Sequence, residues 1–198
     1  RYRAAQVSVT FHCCKLRIIG GKYRGRQINP PSGFRARPTT DFARESLFNI
    51  LTNRLVFEGL EVLDLFAGTG SIGIEFVSRG AELVHQVDID RRNIGFIRKI
   101  AGELKINNIK AMHIDARDFL KTCRHRYDIV FADPPYDLPW LGEIPDLILG
   151  AGILKDDGKL ILEHPAGYSF NGHYCFSEQR KYGRVNFSFF TSVPRPLP

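Results

Sequence analysis

The stretch Asp64–Gly73, DLFAGTGSIG, follows a run of strand-forming residues and opens a helical pattern. Its glycines at 68, 70 and 73 match the spacing G-x-G-x-x-G, and Asp88 comes 20 residues after Gly68. By pattern alone, this is a dinucleotide-binding fingerprint at the turn between a strand and its crossover helix. The glycines allow a ligand to approach the backbone closely, but they do not identify that ligand.

Strand-like and helix-like segments alternate on both sides of this turn. Predicted strands cover 61–66, 83–88, 109–114, 127–133 and 159–164; predicted helices cover 39–55, 71–79, 91–104 and 140–150, the last interrupted near Pro145. This alternation predicts a parallel sheet with helices on both faces. The segment HYCFSEQRKYGRVNFSFFT (173–191) instead indicates two adjacent strands joined by a turn, hence an antiparallel hairpin. The expected fold class is α/β, Rossmann-like, with a mostly parallel seven-stranded sheet.

The overall composition is that of an ordinary globular protein, with 198 residues, 43% hydrophobic and 25% charged. No apolar run approaches the roughly 20 residues of a membrane-spanning helix, and the N-terminus lacks the apolar segment of a secretory signal. We therefore expect a cytoplasmic location. The four cysteines form no C-x-x-C pair and the histidines form no H-x-x-x-H pair, which predicts reduced thiols and no metal site.

Positive charge is concentrated at the N-terminus. Residues 1–44 hold ten of the 28 basic residues and one of the 21 acidic residues. The segment 15–33 reads as a basic β-hairpin followed by a loop, and its charge indicates a polyanionic partner such as nucleic acid. We expect residues 1–38 to form an extension that contacts nucleic acid and residues 39–198 to form the main domain. The predicted phosphate-binding residues, which become RNA-binding residues under the resemblance described below, are Arg17, Lys22, Arg24, Arg26, Arg35 and Arg37.

Asp64 argues against a dinucleotide at the glycine loop. It lies near the end of a strand, where a carboxylate needs a hydrogen-bond donor or a cation to offset desolvation. A pyrophosphate would be repelled by this charge, whereas S-adenosylmethionine brings an ammonium and a sulfonium. Asp88 ends the second strand and is placed to accept from ribose hydroxyls. Asp115 follows the third strand and either accepts from the adenine amino group or caps the helix that begins at Ala116.

A second motif, FADPPYD (131–137), follows the fourth strand and therefore reaches the same edge of the sheet. Pro134 and Pro135 make the turn rigid. Asp133 and the carbonyl of Pro134 can accept both N–H groups of an exocyclic amine, and Tyr136 offers a flat face to a base. Acceptors and a stacking face next to a methyl donor are typical of nucleobase N-methylation.

Together, DLFAGTG and DPPY resemble the Rossmann-fold methyltransferases that modify amino groups with S-adenosylmethionine. The segments LRIIGGKYRGRQI (16–28), RPTTDFARESLFNIL (37–51) and KYGRVNFSFF (181–190) are similar to the bacterial family that methylates N2 of a guanine in 16S ribosomal RNA. The resemblance covers about residues 16–191. Asp88 departs from it, because many relatives have Glu there. RPTT suggests a loop near the cofactor, although helix capping explains its threonines equally well.

The resemblance implies a cofactor, a substrate and a site. The cofactor is S-adenosylmethionine, leaving as S-adenosylhomocysteine; the substrate is ribosomal RNA or a small-subunit assembly intermediate; and the enzyme is expected to be a monomer. The target-base residues are Asp133, Pro134, Pro135 and Tyr136. Three alternatives stay open: a DNA adenine-N6 or cytosine-N4 methyltransferase, a nicotinamide reductase, and a non-catalytic RNA-binding protein of the same fold. The predicted cofactor-binding residues are Asp64, Phe66, Gly68, Thr69, Gly70, Asp88, Ile89, Asp115 and Ala116.

Overall fold

The computed structural model describes residues 16–30 and 41–193. Strands and helices are numbered here in chain order. The strands are β1 (Leu16–Arg17), β2 (Gln27–Ile28), β3 (Glu61–Leu65), β4 (Leu83–Asp88), β5 (Ile109–His113), β6 (Tyr127–Ala132), β7 (Leu154–His164), β8 (Phe176–Tyr182) and β9 (Val185–Thr191). The helices are α1 (Asp41–Thr52), α2 (Ser71–Ser78), α3 (Arg91–Glu103), α4 (Ala116–Thr122) and α5 (Ile144–Gly150), with a short 3-10 helix at Leu141–Glu143.

The main sheet has seven strands in the order β5-β4-β3-β6-β7-β9-β8. Strands β3 to β7 are parallel, and β9 is antiparallel to both of its neighbours. This confirms the predicted α/β class and the antiparallel hairpin at the end. The five parallel strands finish on one side of the sheet, which we call the carboxyl edge. The chain order reverses between β4 and β6, on either side of β3, and ligands bind at this kind of switch point.

Apolar clusters cover both faces of the sheet. Helices α1, α2 and α3 pack on one face, through residues such as Phe48, Phe76 and Ile100. Helices α4 and α5 pack on the other, through residues such as Leu120 and Ile148. Burial on both faces explains why the central strands are continuous apolar runs rather than alternating ones. Within the described residues, no helix is long and apolar enough to cross a membrane.

The basic hairpin is small and is docked on the main domain. β1 and β2 pair over two residues each, so the hairpin predicted within 15–33 has very short strands. Leu16, Ile18 and Ile28 are buried in the same apolar cluster as α1 and α2. A Cβ on Gly21, which has φ of +72°, would lie 1.8 Å from the carbonyl oxygen of Ser78 at the end of α2. The residue that turns the hairpin therefore also allows this close contact. The predicted boundary near residue 38 stays a prediction, because residues 31–40 lie outside the described residues.

Helix α1 differs from its prediction at its C-terminal end. It ends at Thr52 rather than at residue 55, and its candidate caps Thr39 and Thr40 lie outside the described residues. Phe42, in the first turn of this helix, is 65% exposed. Its ring meets that of Tyr182 edge-on at 6.3 Å.

Arg44 is a buried charged residue in the first helical turn of α1, at 1% exposure. Its guanidinium donates to the carbonyl of Arg17 at 2.6 Å and to Asp41 Oδ1 at 2.7 Å, and it lies 3.9 Å from Glu75 Oε1. Burial lowers the pKa of Arg44, and the facing carboxylates act in the opposite direction. Glu75 is buried too and also pairs with Arg79. This ionic cluster holds the hairpin, α1 and α2 together.

Candidate active site

The loop between β3 and α2 is sharply bent. Phe66, Gly68 and Gly70 have φ values of 69°, 54° and 76°. A Cβ on Gly70 would lie 2.6 Å from Ile97, so the glycine is needed for packing as well as for its left-handed backbone. Thr69 beside it is buried. The loop therefore brings its backbone to the start of α2 at the carboxyl edge, as the glycine spacing predicted.

Asp64 is buried beneath this loop. Its Oδ2 accepts hydrogen bonds from Gln86 Nε2 at 2.8 Å and from the backbone N–H of Gly73 at 3.1 Å. Burial raises the pKa of Asp64 to about 7, and the two hydrogen bonds act in the opposite direction. Gln86 also donates to the carbonyl of Gly70 at 3.0 Å, so the Asp64–Gln86 pair fixes the first turn of α2. The donors that this carboxylate requires are thus partly supplied by the protein itself.

Asp88 joins the glycine loop to the end of β4. Its Oδ2 accepts from the N–H of Gly68 at 2.8 Å and its Oδ1 from the N–H of Asp90 at 2.7 Å. Each carboxylate oxygen has a second lone pair, so both can still accept from a ligand hydroxyl. The next side chain, Ile89, is 67% exposed and presents an apolar surface beside this carboxylate.

Asp115 caps helix α4, as one of its two sequence interpretations held. Its Oδ1 accepts from the N–H groups of Arg117 at 2.8 Å and of Asp118 at 3.3 Å. Ala116, the first residue of α4, is buried. Both capping bonds use Oδ1, so Oδ2 can still accept a hydrogen bond from adenine. The proximity of Asp115 to the cofactor therefore stays a prediction.

The turn Asp133–Tyr136 lies directly beside the glycine loop. The N–H of Asp133 donates to the carbonyl of Leu65 at 3.4 Å, which ties the end of β6 to the end of β3. Pro134 is buried, Pro135 is exposed, and Asp133 and Tyr136 are half-buried. The structure therefore brings the two sequence motifs to neighbouring positions on the same edge.

Glu163 is a neighbour of this turn that sequence reasoning missed. It is buried near the end of β7, and its Oε1 accepts from the hydroxyl of Tyr136 at 3.2 Å. Ala132 pairs with Leu162 in the sheet. Asp133 and Glu163, which follow these two residues, are therefore neighbours on adjacent strands. The signal was available in the segment KLILEH (159–164), where a carboxylate interrupts an apolar strand just before its end, as Asp64 does in β3.

Trp140 is a second residue that the motifs did not indicate. Its ring lies 5.9 Å from that of Phe66, and the guanidinium of Arg117 lies over it at 4.3 Å. Arg117 also pairs with Glu143 at 3.2 Å. These residues form a rim between the glycine loop and the start of α4. No spacing rule in the sequence connects them, because they come from three separate loops and helix ends.

Comparison with known proteins agrees with this geometry. A family model described as conserved hypothetical protein 95 matches residues 16–191. The protein named ribosomal RNA small subunit methyltransferase D in Escherichia coli K12 is 36% identical, over 75% of this chain and 74% of that protein. The protein of the same name in Buchnera aphidicola subsp. Baizongia pistaciae is 29% identical, over 90% of this chain and 92% of that protein. The chain belongs to this methyltransferase family.

Solved structures extend the agreement to the fold. The Escherichia coli protein yhhF has a TM-score of 0.78 and 32% identity, covering 89% of this chain and 97% of that chain. A hypothetical protein of Thermus thermophilus has the same TM-score and 27% identity, covering 89% of this chain and 99% of that chain. The resemblance to the ribosomal RNA methyltransferases is thereby confirmed.

The predicted RNA-binding residues of this family member divide into two groups. Arg17, Lys22, Arg24 and Arg26 are all exposed, while Arg35 and Arg37 lie outside the described residues. The turn of the hairpin is held at the end of α2, where the N–H of Lys22 donates to the carbonyl of Ser78 at 2.6 Å. Because α2 runs antiparallel to the strands, this end lies away from the carboxyl edge. Lys22 and Arg24 are therefore separated from the two motifs by about 12 Å, the length of an eight-residue helix.

The cysteines and histidines gather into no metal-binding cluster in the part of the chain that the structure describes. Within residues 16–30 and 41–193, no group of three His, Cys, Asp or Glu side chains is arranged to hold a metal ion. Cys123 is half-buried and Cys175 is buried, and both are free thiols. Cys13 and Cys14 lie outside the described residues.

Proposed function

We propose that this protein is an S-adenosylmethionine-dependent methyltransferase that modifies the exocyclic N2 amino group of a guanine in small-subunit ribosomal RNA. The observation that carries this proposal is the direct contact between the two loops, through the Asp133 N–H and the Leu65 carbonyl. A methyl donor held by the first loop and an amine held by the second would be neighbours. The names of the relatives supply the substrate class, ribosomal RNA of the small subunit.

The residues at the first loop fit the cofactor. Bound S-adenosylmethionine supplies an electrophilic methyl group on a positively charged sulfur. Asp64 is a buried carboxylate whose pKa is raised to about 7, so a cation close to it would be stabilised and would return the carboxyl to its ionised form. Asp88 has lone pairs left for ribose hydroxyls, and exposed Ile89 offers an apolar face to adenine. Phe66, Thr69, Asp115 and Ala116 complete the proposed cofactor set.

The residues at the second loop fit an aromatic amine. Asp133 and the Pro134 carbonyl would each accept one N–H bond of the amino group. Tyr136 would stack on the base, and its hydroxyl bond to Glu163 would keep the ring in place. The rigid Pro134-Pro135 backbone would keep the two acceptors from moving apart.

Positioning is the main catalytic effect that this arrangement offers. The lone pair of guanine N2 is delocalised into the ring, so the amine is a weak nucleophile. Two acceptors that fix both N–H bonds would direct the lone pair toward the methyl group. Alignment of this kind can lower the barrier by roughly 7–11 kcal/mol. The nitrogen gains the methyl group and then loses one proton, to Asp133 or to water.

The target base must leave its stack to reach this edge. We propose that residues 1–38 form the RNA-contacting extension and that Arg17, Lys22, Arg24, Arg26, Arg35 and Arg37 bind phosphates without reading sequence. Arg17 and Arg26 lie toward the open end of the hairpin. This end is closer to the start of α1 than the turn of the hairpin is. An RNA that contacts both ends of the hairpin would extend along α2.

The proposal is tested by methyl transfer. The protein and labelled S-adenosylmethionine are incubated with one of three substrates in separate reactions. The substrates are 30S particles from cells that lack the enzyme, naked 16S rRNA and plasmid DNA. We expect label on one guanine N2 of the rRNA, located by mapping of the modified nucleotide, and none on DNA. Label on another atom or only on DNA would overturn the proposed specificity, and no cofactor binding in calorimetry would overturn the proposed cofactor.

A further inference from the structure

The turn between β8 and β9 lies at the carboxyl edge, on the side of the proposed target base. β9 pairs antiparallel with β7, and its residue Asn186 lies opposite His164, the last residue of β7. Residues that precede Asn186 therefore extend past the end of β7. The turn itself is Gly183-Arg184, with Tyr182 opposite Val185 and φ of 62° at Gly183. Two strand spacings, or about 10 Å, separate β8 from the end of β7 that carries Glu163.

This turn has an excess of positive charge. Lys181 and Arg184 are both exposed, and within the described residues no salt bridge involves either of them. Arg180 is different, because it pairs with Glu178, as does Arg54. The one acid of the hairpin is thus neutralised by two arginines. Lys181 and Arg184 are left to interact with an external anion.

The turn is also held firmly in place. The ring of Tyr182 packs against Phe187 at 6.1 Å and against Phe42, in the first turn of α1, at 6.3 Å. Phe42 is itself 65% exposed, so an exposed ring lies beside Tyr182, the residue that precedes the turn. Exposed cations on a turn that is held in place, with an exposed ring near that turn, are a combination that single-stranded nucleic acid binds, through phosphates and stacked bases. A solvated loop would require neither the exposed ring nor its packing.

We infer that the β8–β9 turn is an RNA-binding surface, in which Lys181 and Arg184 contact phosphates of the nucleotides that flank the target base. This inference rests on the proposed function and assigns to this turn the contact nearest the reacting base. The turn of the β1–β2 hairpin lies at the opposite end of α2, so its cations would contact more distant phosphates. The two basic elements would then hold one RNA at two separate places.

The test compares two charge-reversed pairs. Lys181→Glu with Arg184→Glu changes the proposed surface. Lys121→Glu with Arg124→Glu has the same spacing and charge change, but these exposed residues lie in the last turn of α4 and just after it, at the opposite edge of the sheet, where Lys121 pairs with Asp118. Binding is measured by anisotropy of a labelled 16S rRNA fragment, and initial rates are measured with 30S particles and with varied S-adenosylmethionine. A neutral pair, Lys181→Gln with Arg184→Gln, keeps the test informative if charge reversal impairs folding.

We expect the turn pair to weaken RNA binding about tenfold and to leave kcat and the KM for S-adenosylmethionine within twofold. The neutral pair should reduce the log–log salt slope of binding by about 1.4, the value for two lost contacts to single-stranded phosphates. Equal effects of the two charge-reversed pairs, or an unchanged salt slope, would overturn the inference. Weakened RNA binding by the turn pair together with no methyl transfer by the wild type would retain this surface and reject the proposed function.

Discussion

At the ends of β3, β4 and β5, Asp64, Asp88 and Asp115 all accept hydrogen bonds from backbone N–H groups of nearby loops and helix ends. At the ends of β6 and β7, Tyr136 and Glu163 join two neighbouring strands through their side chains. We call these two regions the cofactor half and the target half of the carboxyl edge. A substitution in the cofactor half would remove a proposed cofactor contact and also the acceptor of a backbone N–H group. A substitution in the target half changes the pocket and leaves the backbone of the cofactor loop in place.

Asp133→Ala should show this separation with the largest effect. We expect kcat to fall about 10²–10³-fold, because one of the two acceptors that orient the amine is lost. The affinity for S-adenosylmethionine and the melting temperature should stay close to those of the wild type, since the Asp133 contact to β3 is made by its backbone N–H. Single-turnover methyl transfer and calorimetry measure the two quantities.

Asp137→Ala is the matched control, because Asp137 is an exposed carboxylate in the same turn. We expect little change in kcat. If both variants lost activity equally, the effect would come from the charge of the turn rather than from Asp133. If Asp133→Ala kept full turnover on guanine N2, the assignment of Asp133 would be wrong.

Asp88→Ala should combine a binding defect with a folding defect. The N–H groups of Gly68 and Asp90 both lose their acceptor, which should lower the free energy of unfolding by about 2–4 kcal/mol. Loss of the ribose contact should weaken cofactor binding at least about tenfold, at about 1.4 kcal/mol per factor of ten. Asp90→Ala removes the cap of α3 and the ion pair with Arg92, keeps the backbone N–H that donates to Asp88, and should leave cofactor affinity unchanged. A normal cofactor affinity in Asp88→Ala would place the ribose elsewhere.

Cofactor binding should depend on pH through Asp64, whose pKa burial raises to about 7. A bound cation favours the carboxylate, so affinity should rise with pH, by about tenfold between pH 6 and pH 8. Folding depends on pH with the opposite sign. The pKa in the folded protein lies above its ordinary value, so the contribution of this group to stability is complete at low pH and is lost as pH rises through about 7.

Asp64→Asn separates these effects from those of other groups. The amide oxygen can still accept from Gln86 and Gly73, but it does not titrate. We expect weak cofactor binding that is nearly independent of pH between 6 and 8, and a smaller loss of stability over the same interval. Calorimetric titrations and thermal melts at each pH test both expectations. A wild-type pH profile in this variant would remove Asp64 as the titrating group.

Much of the cofactor half could be predicted because its signals are local. Strands, helices and the glycine loop follow one another along the chain, and topology brings the strand ends to one edge. Gln86 was missed because its role depends on two contacts across the sheet, to Asp64 and Gly70, that no periodicity reveals. Asp115 shows the limit of the method, since capping and ligand binding favour the same residue at the same position.

Elements that depend on distant contacts were predicted less well. The first half of β7 has the sequence LKDDG (154–158), whose charges favour a loop. The strand nevertheless begins at Leu154, because Leu154 pairs with Tyr127 of β6. Burial of Arg44 depends on Glu75 and on the backbone of Arg17, which lie far from it in the chain. Tertiary contacts override the local pattern at both places.

Tyr136→Phe should give the smallest effect and should tell us how the target half is held. The ring remains for stacking, and the hydroxyl that donates to Glu163 is lost. This hydrogen bond joins two protein side chains and does not contact the base, so we expect kcat/KM for the RNA substrate to fall only about threefold. Tyr136→Ala also removes the stacking face, worth about 1–3 kcal/mol, and should cost considerably more. If the two variants were equally impaired, the contact with Glu163, and not the ring, would position the base.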